Sequence, residues 1–116
     1  MKYRKLRVQD LFKEEVALII QREIRDPGMG FVTVLGVKMS DDLKDAKVYL
    51  SIYGNEEEKA ATLAALKRSR NYIKFLLGKK IQLRYMPELH FVIDDTYEKA
   101  ARIEEILKKE AHVQED

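Results

Sequence analysis

From Val8 to Arg25 apolar residues return at helical spacing. Leu11, Phe12, Val16, Ile19 and Ile20 gather on one broad face, and Glu14, Glu15, Gln21 and Arg22 turn to water. The helix must stop by Asp26, because Pro27 disfavours the helical region for the residue before it. Gly28 and Gly30 open a turn. Phe31–Met39 is strand-like, and Ala46–Tyr53 alternates Val48, Leu50 and Ile52 against Lys47, Tyr49 and Ser51. The short polar turn Asp41–Asp45 makes these strands an antiparallel hairpin, which Gly54 and Asn55 end.

Glu56, Glu57 and Glu58 suit the N-terminus of a second helix. It runs through Ala60, Leu63 and Leu66, restarts near Tyr72 and ends at Gly78. Ile81–Asp94 reads as extended, with Leu83, Tyr85, Leu89, Phe91 and Ile93 sharing one parity. Pro87 places this third strand at a sheet edge, with an irregularity at Met86–Pro87. Its helical connection suits parallel pairing by a right-handed crossover. Asp95 or Thr96 caps a last helix from Tyr97 to about Lys109, and residues 111–116 form a loose tail. The order is αββααβ(α). It describes an α+β fold in one domain, residues 1–110, with a three-stranded mixed sheet and helices packed mainly on one face.

The central helical segment contains a fault. At 100° per residue, Leu63, Leu66, Ile73 and Leu77 share an apolar arc, and Arg70 falls in its middle. Burying an unpaired arginine costs several kcal/mol. A break near Ser69–Asn71 resets the phase, giving two short helices with Arg70 turned outward and Lys74 one turn later on the same side. Ser69 and Asn71 suit a break, since their side chains compete for backbone hydrogen bonds. The alternative is one straight helix with Arg70 reaching past the core to water.

Charge sharpens that picture. The chain has 22 basic and 20 acidic residues. Seven of the basic ones, Lys67, Arg68, Arg70, Lys74, Lys79, Lys80 and Arg84, stand in one stretch that no acidic residue interrupts. Such local asymmetry marks a site for a polyanion. Arg4, Lys5 and Arg7 offer further contacts to a phosphate backbone, or simply a solvated start to the first helix. Tyr49, Tyr53, Tyr72 and Tyr85 are candidate stacking surfaces for bases, though core roles are the commoner fate.

The order αββααβ with its central helix pair resembles a type II KH domain, although no GXXG loop is present. Val37–Gly54, Ser69–Asp95, the RDPGMGFVTV exit of the first helix and above all PELHF within LRYMPELHFVIDD carry a closer resemblance. They are similar to the bacterial ribosome-binding factor A family, whose kink has Ala-x-Gly where this chain has Ser69-Arg70-Asn71. The resemblance implies a non-enzymatic factor without cofactor. It implies binding to the 30S ribosomal subunit, help in late maturation and processing of 16S rRNA, and a part in cold adaptation. RNA contact is expected through Lys67, Arg68, Arg70, Asn71, Lys74, Lys79, Lys80 and Arg84. At the departures from the family's kink, Asn71 can take positive φ where the family has Gly. Glu88 is expected to fix the bulge beside Pro87.

Other chemistry is poorly supported. The chain has no cysteine and two isolated histidines, His90 and His112, which disfavours a metal site. Asp41-Asp42 and Asp94-Asp95 read as turn and cap residues, since adjacent strand side chains face opposite ways. No phosphate-cradling glycine motif or nucleophile elbow occurs. With no signal-like start and no apolar run of membrane-spanning length, a cytoplasmic protein is expected, and with no large unmatched apolar face on any element, a monomer. A second function class stays open, an adaptor whose basic patch meets an acidic protein.

Overall fold

The computed structural model of the protein describes residues 2–94. Its elements are α1 (Lys2–Glu23), β1 (Phe31–Met39), β2 (Asp45–Tyr53), α2 (Glu56–Arg68), α3 (Arg70–Lys80) and β3 (Glu88–Ile93). The sheet order is β1-β2-β3, antiparallel between β1 and β2 and parallel between β2 and β3. This is the α+β, type II KH-like order expected from the sequence, with the third strand at an edge. The expected last helix and the tail lie outside the described residues.

The core follows from alternation on the central strand. Ala46, Val48, Leu50 and Ile52 point to one face and are buried. Leu89, Phe91 and Ile93 align with Ala46, Val48 and Leu50. Phe12, Val16, Ile19 and Ile20 of α1, Leu66 of α2, and Ile73 and Leu77 of α3 close over that face. Leu11, expected among them, is 41% exposed, because it falls at the margin of the α1 stripe.

Several boundaries differ from expectation. α1 begins at Lys2, so Arg4, Lys5 and Arg7 are helical, and it ends at Glu23 rather than Arg25. Asp26 then folds a tight turn, its carboxylate accepting the Gly28 N–H at 2.9 Å and its carbonyl the Met29 N–H at 3.0 Å. β3 is only six residues long. Ile81–Pro87 stays outside the ladder because Pro87 has no N–H to donate and is itself buried. α3 runs past Gly78 to Lys80, where the Ile81 N–H closes on the Leu77 carbonyl at 2.8 Å. β1 contains an irregularity between Val34 and Gly36. The extra residue, Leu35, switches the inward positions from Val32 and Val34 to Val37 and Met39.

The start of α2 is tightly specified. The Asn55 side chain accepts the Glu58 N–H at 2.8 Å, and the Asn55 N–H donates to the Glu58 carboxylate at 3.2 Å, a reciprocal capping box. Gly54 precedes it at φ 138°, where a side chain would be strained and would meet Glu58 Cβ at 2.9 Å.

Leu50→Ala, which empties a fully buried site on the central strand, is expected to cost about 2–5 kcal/mol. Asn55→Ala, which opens an exposed cap, is expected to cost about 1 kcal/mol. Urea denaturation measures both; equal losses would show that the core is not centred on β2.

Candidate nucleic-acid interface

The basic stretch begins in α2, passes the helix break and ends beyond α3. The break is a single residue. Ser69 has φ −89° and ψ 0°, and serves as C-cap of α2 and N-cap of α3. Its N–H still donates to the Ala65 carbonyl at 3.0 Å, and its carbonyl accepts the Ile73 N–H at 2.9 Å. Helical bonding thus spans the interruption. Asn71 is exposed in the first turn of α3 and takes no left-handed conformation; among the described non-glycine residues only Leu43 has positive φ.

So short an interruption does not turn Arg70 outward. Arg70 stays on the apolar arc, half-buried, with its guanidinium 6.0 Å from the centre of the Phe91 ring on β3. The ring face offsets part of the cost of partial burial. Its Nε is buried without a hydrogen-bond partner among the described residues. Lys74, one turn on, is also drawn inward, its side chain 22% exposed and paired with the Glu88 carboxylate. The Lys74 ammonium holds the Glu88 carboxyl below the usual range, and Arg70 adds a smaller effect in the same direction. Glu88 therefore ties β3 to α3 rather than fixing a bulge.

Arg68 is committed as well. Its Nε and Nη2 grip the two oxygens of Asp26 at 3.1 and 2.9 Å. This bidentate bond, with help from the Gly28 N–H, depresses the Asp26 carboxyl below its ordinary value and raises Arg68. At the N-terminus, Lys5 pairs with Asp41 at 2.8 Å. Asp42 accepts from the Ser40 hydroxyl at 2.7 Å and the Lys44 N–H at 3.0 Å, as a turn residue should. His90 points away from Leu89 and Phe91, as expected, and meets Asp45 at 2.8 Å.

The remaining cations of the stretch are exposed. Among the described residues, Lys67, Lys80 and Arg84 have no ion pair; Arg84 lies 5.7 Å from the Tyr85 ring centre. Lys79 stands 4.6 Å over Phe75. Lys79 and Lys80 share a groove with Glu15, Leu18, Arg22 and Glu23 of α1, without an ion pair to either glutamate. Arg4 and Arg7 are exposed on the first turns of α1. The structure thus divides the predicted set: Arg70 and Lys74 are drawn inward, Arg68 is bonded to Asp26 with its side chain still 59% exposed, and Lys67, Asn71, Lys79, Lys80 and Arg84 are exposed. Of the four tyrosines, Tyr53 and Tyr85 are the most exposed, at 85% and 69%, Tyr72 is less so, and Tyr49 is half-buried. Sequence reasoning missed Asp26 and Phe91 as partners of the basic residues.

Comparison with known proteins follows the same lines. The family model described as ribosome-binding factor A matches residues 4–107. The chain belongs to that family. Ribosome-binding factor A of Halothermothrix orenii is 44% identical over 89% of this chain and 84% of its own. That of Carboxydothermus hydrogenoformans is 48% identical over 90% and 86%. The solution structure of a putative ribosome binding factor A from Thermotoga maritima aligns at TM-score 0.72 and 28% identity, covering 83% of this chain and 92% of that one. A Thermus thermophilus ribosome binding factor A model, fitted into the cryo-EM map of its complex with the 30S subunit, aligns at TM-score 0.61 and 28% identity over 72% and 88%. Ribosome-binding factor A is a non-catalytic family, in line with the sequence reading. Among the described residues no helix is long and apolar enough to cross a membrane.

The Asp26–Arg68 link carries a pH signature. A carboxyl whose folded pKa is depressed contributes stability above its unfolded value, about 4, and loses it as pH falls through the folded value. Asp26→Asn is expected to lower the melting temperature at neutral pH and to flatten its decline below about pH 4. Parallel melting-temperature curves for variant and wild type would mean that the link contributes nothing.

Proposed function

We propose that the protein binds the 30S ribosomal subunit and assists late maturation of 16S rRNA, holding the rRNA backbone through the exposed cations of α2 and α3. The family match over residues 4–107 carries this reading. The Thermus thermophilus relative fitted into a 30S complex supports the choice of partner. The chemistry suits it too, since Lys67, Lys79, Lys80 and Arg84 are exposed cations without internal ion pairs among the described residues. Phosphate contacts of this kind position a protein on RNA without reading its sequence. Arg68 and Lys74 brace the helix pair, and Arg70 rests against Phe91. The protein acts as a cytoplasmic monomer formed by residues 1–110.

Lys79→Gln with Lys80→Gln is expected to weaken binding to 30S subunits. It should also reduce the slope of log K against log salt by about 0.7–0.9 for each phosphate that the variant no longer neutralises. Co-sedimentation across a KCl series measures this, and an unchanged slope would move the RNA site to Arg4 and Arg7. Arg70→Glu with Lys74→Glu should instead lower the melting temperature, because it sets two carboxylates beside Glu88. Ribonuclease treatment should release the protein from captured complexes. Retention on an acidic protein after that treatment would favour the adaptor.

A further inference from the structure

The described helices cover one face of the sheet; the other face carries a pattern that the family reading leaves unused. Strand pairing sets Lys38 directly opposite Lys47 and Phe31 directly opposite Tyr53. Thr33 and Ser51 pair between them. Lys38 and Lys47 are exposed and, among the described residues, neither has an ion pair. Of the nearby carboxylates, Asp45 meets His90, Asp41 pairs with Lys5 and feels Lys38 more weakly, and Asp94 lines a groove beside Lys38 and Tyr49. Phe31 and Tyr53 are the most exposed large hydrophobic residues described, at 83% and 85%.

We propose that this open face is a second nucleic-acid site, which takes single-stranded RNA along the β1–β2 hairpin, with bases stacked on Phe31 and Tyr53 and a phosphate held between Lys38 and Lys47. Like charges directly opposite on a sheet repel, and an intervening anion relieves that repulsion. Two neighbouring rings standing in water serve no packing purpose in the core, but they offer the sequence-tolerant surface on which unpaired bases stack. Lys47 and Tyr53 lie six positions apart on β2, which is about 20 Å of strand, room for a few unstacked nucleotides. A protein partner fits less well. Thr33 and Ser51 interrupt the apolar surface, and the lysine pair puts charge where an interface core is depleted of it. The site is separate from the helical cations and does not rest on them.

The test uses the full chain and a short fluorescein-labelled oligouridylate, followed by anisotropy across a KCl series. Phe31→Thr with Tyr53→Thr keeps strand-forming side chains while removing both rings. It should weaken binding roughly tenfold or more with the salt slope unchanged. Lys38→Gln with Lys47→Gln should reduce that slope by about 0.7, the value for one phosphate of a single strand. Both proteins should melt like the wild type, since all four positions are exposed. Wild-type affinity in both variants, or no binding of the oligouridylate by the wild type, overturns the proposal. So does impaired binding to 30S subunits with oligouridylate binding intact, which would make the face a protein-binding surface. Lys79→Gln with Lys80→Gln, run in parallel, reports on the helical surface alone, so either site can fail without the other.

Discussion

β2 is the one strand described that is hydrogen-bonded along both edges, and its period-two alternation governs the molecule. Ala46, Val48, Leu50 and Ile52 give the helices a single apolar surface to cover. Because β1 and β3 must present their apolar residues to the same side, their registers follow from β2. The extra residue at Leu35 shows how firmly this binds. β1 changes parity midway, and the irregularity restores Val37 and Met39 to the core side without moving Val32 and Val34.

The same alternation explains what is legible in the sequence. Hairpin, parallel third strand and helix order all arise from local periodicity and connection length, and each can be read directly. The parity switch in FVTVLGVKM and the Asn55-x-x-Glu58 spacing of the capping box are local too, although neither follows from a simple apolar period. The fate of the basic residues is different. Asp26 and Arg68 lie 42 positions apart, and Lys74 and Glu88 lie 14 apart. No local pattern announces such pairs. The expectation for Arg70 fails for a related reason. A buried arginine is costly, which argues for a break, but Phe91 on β3 supplies a partner that the helix pattern alone cannot show.

This sorting of charge changes what a basic run means. A count of seven cations treats them as equal, yet each is worth to a polyanion only what remains after its internal partner is given up. An exposed single ion pair is weak, so Lys5 loses little by leaving Asp41. Arg68 is in another position, since two hydrogen bonds to a mostly covered carboxylate must break before it can turn to phosphate. Leaving Asp26 unpaired would also loosen the turn after α1. The residues that look most basic in the sequence are thus partly structural, and the free charge moves toward Lys79, Lys80 and Arg84.

The two faces of the domain then offer different chemistry. On the helical side, long flexible lysines at α3 tolerate many phosphate positions, which suits a backbone held by charge. On the sheet side, Phe31 and Tyr53 are fixed by strand pairing and present flat surfaces. Ring stacking depends on surface contact rather than ionic strength, whereas the lysine contribution is screened by salt. A single salt series therefore distinguishes contributions that a single affinity would merge. The sheet permits this division because the buried strand residues described lie mostly on the helical side, while Phe31 and Tyr53 on the other side stay exposed.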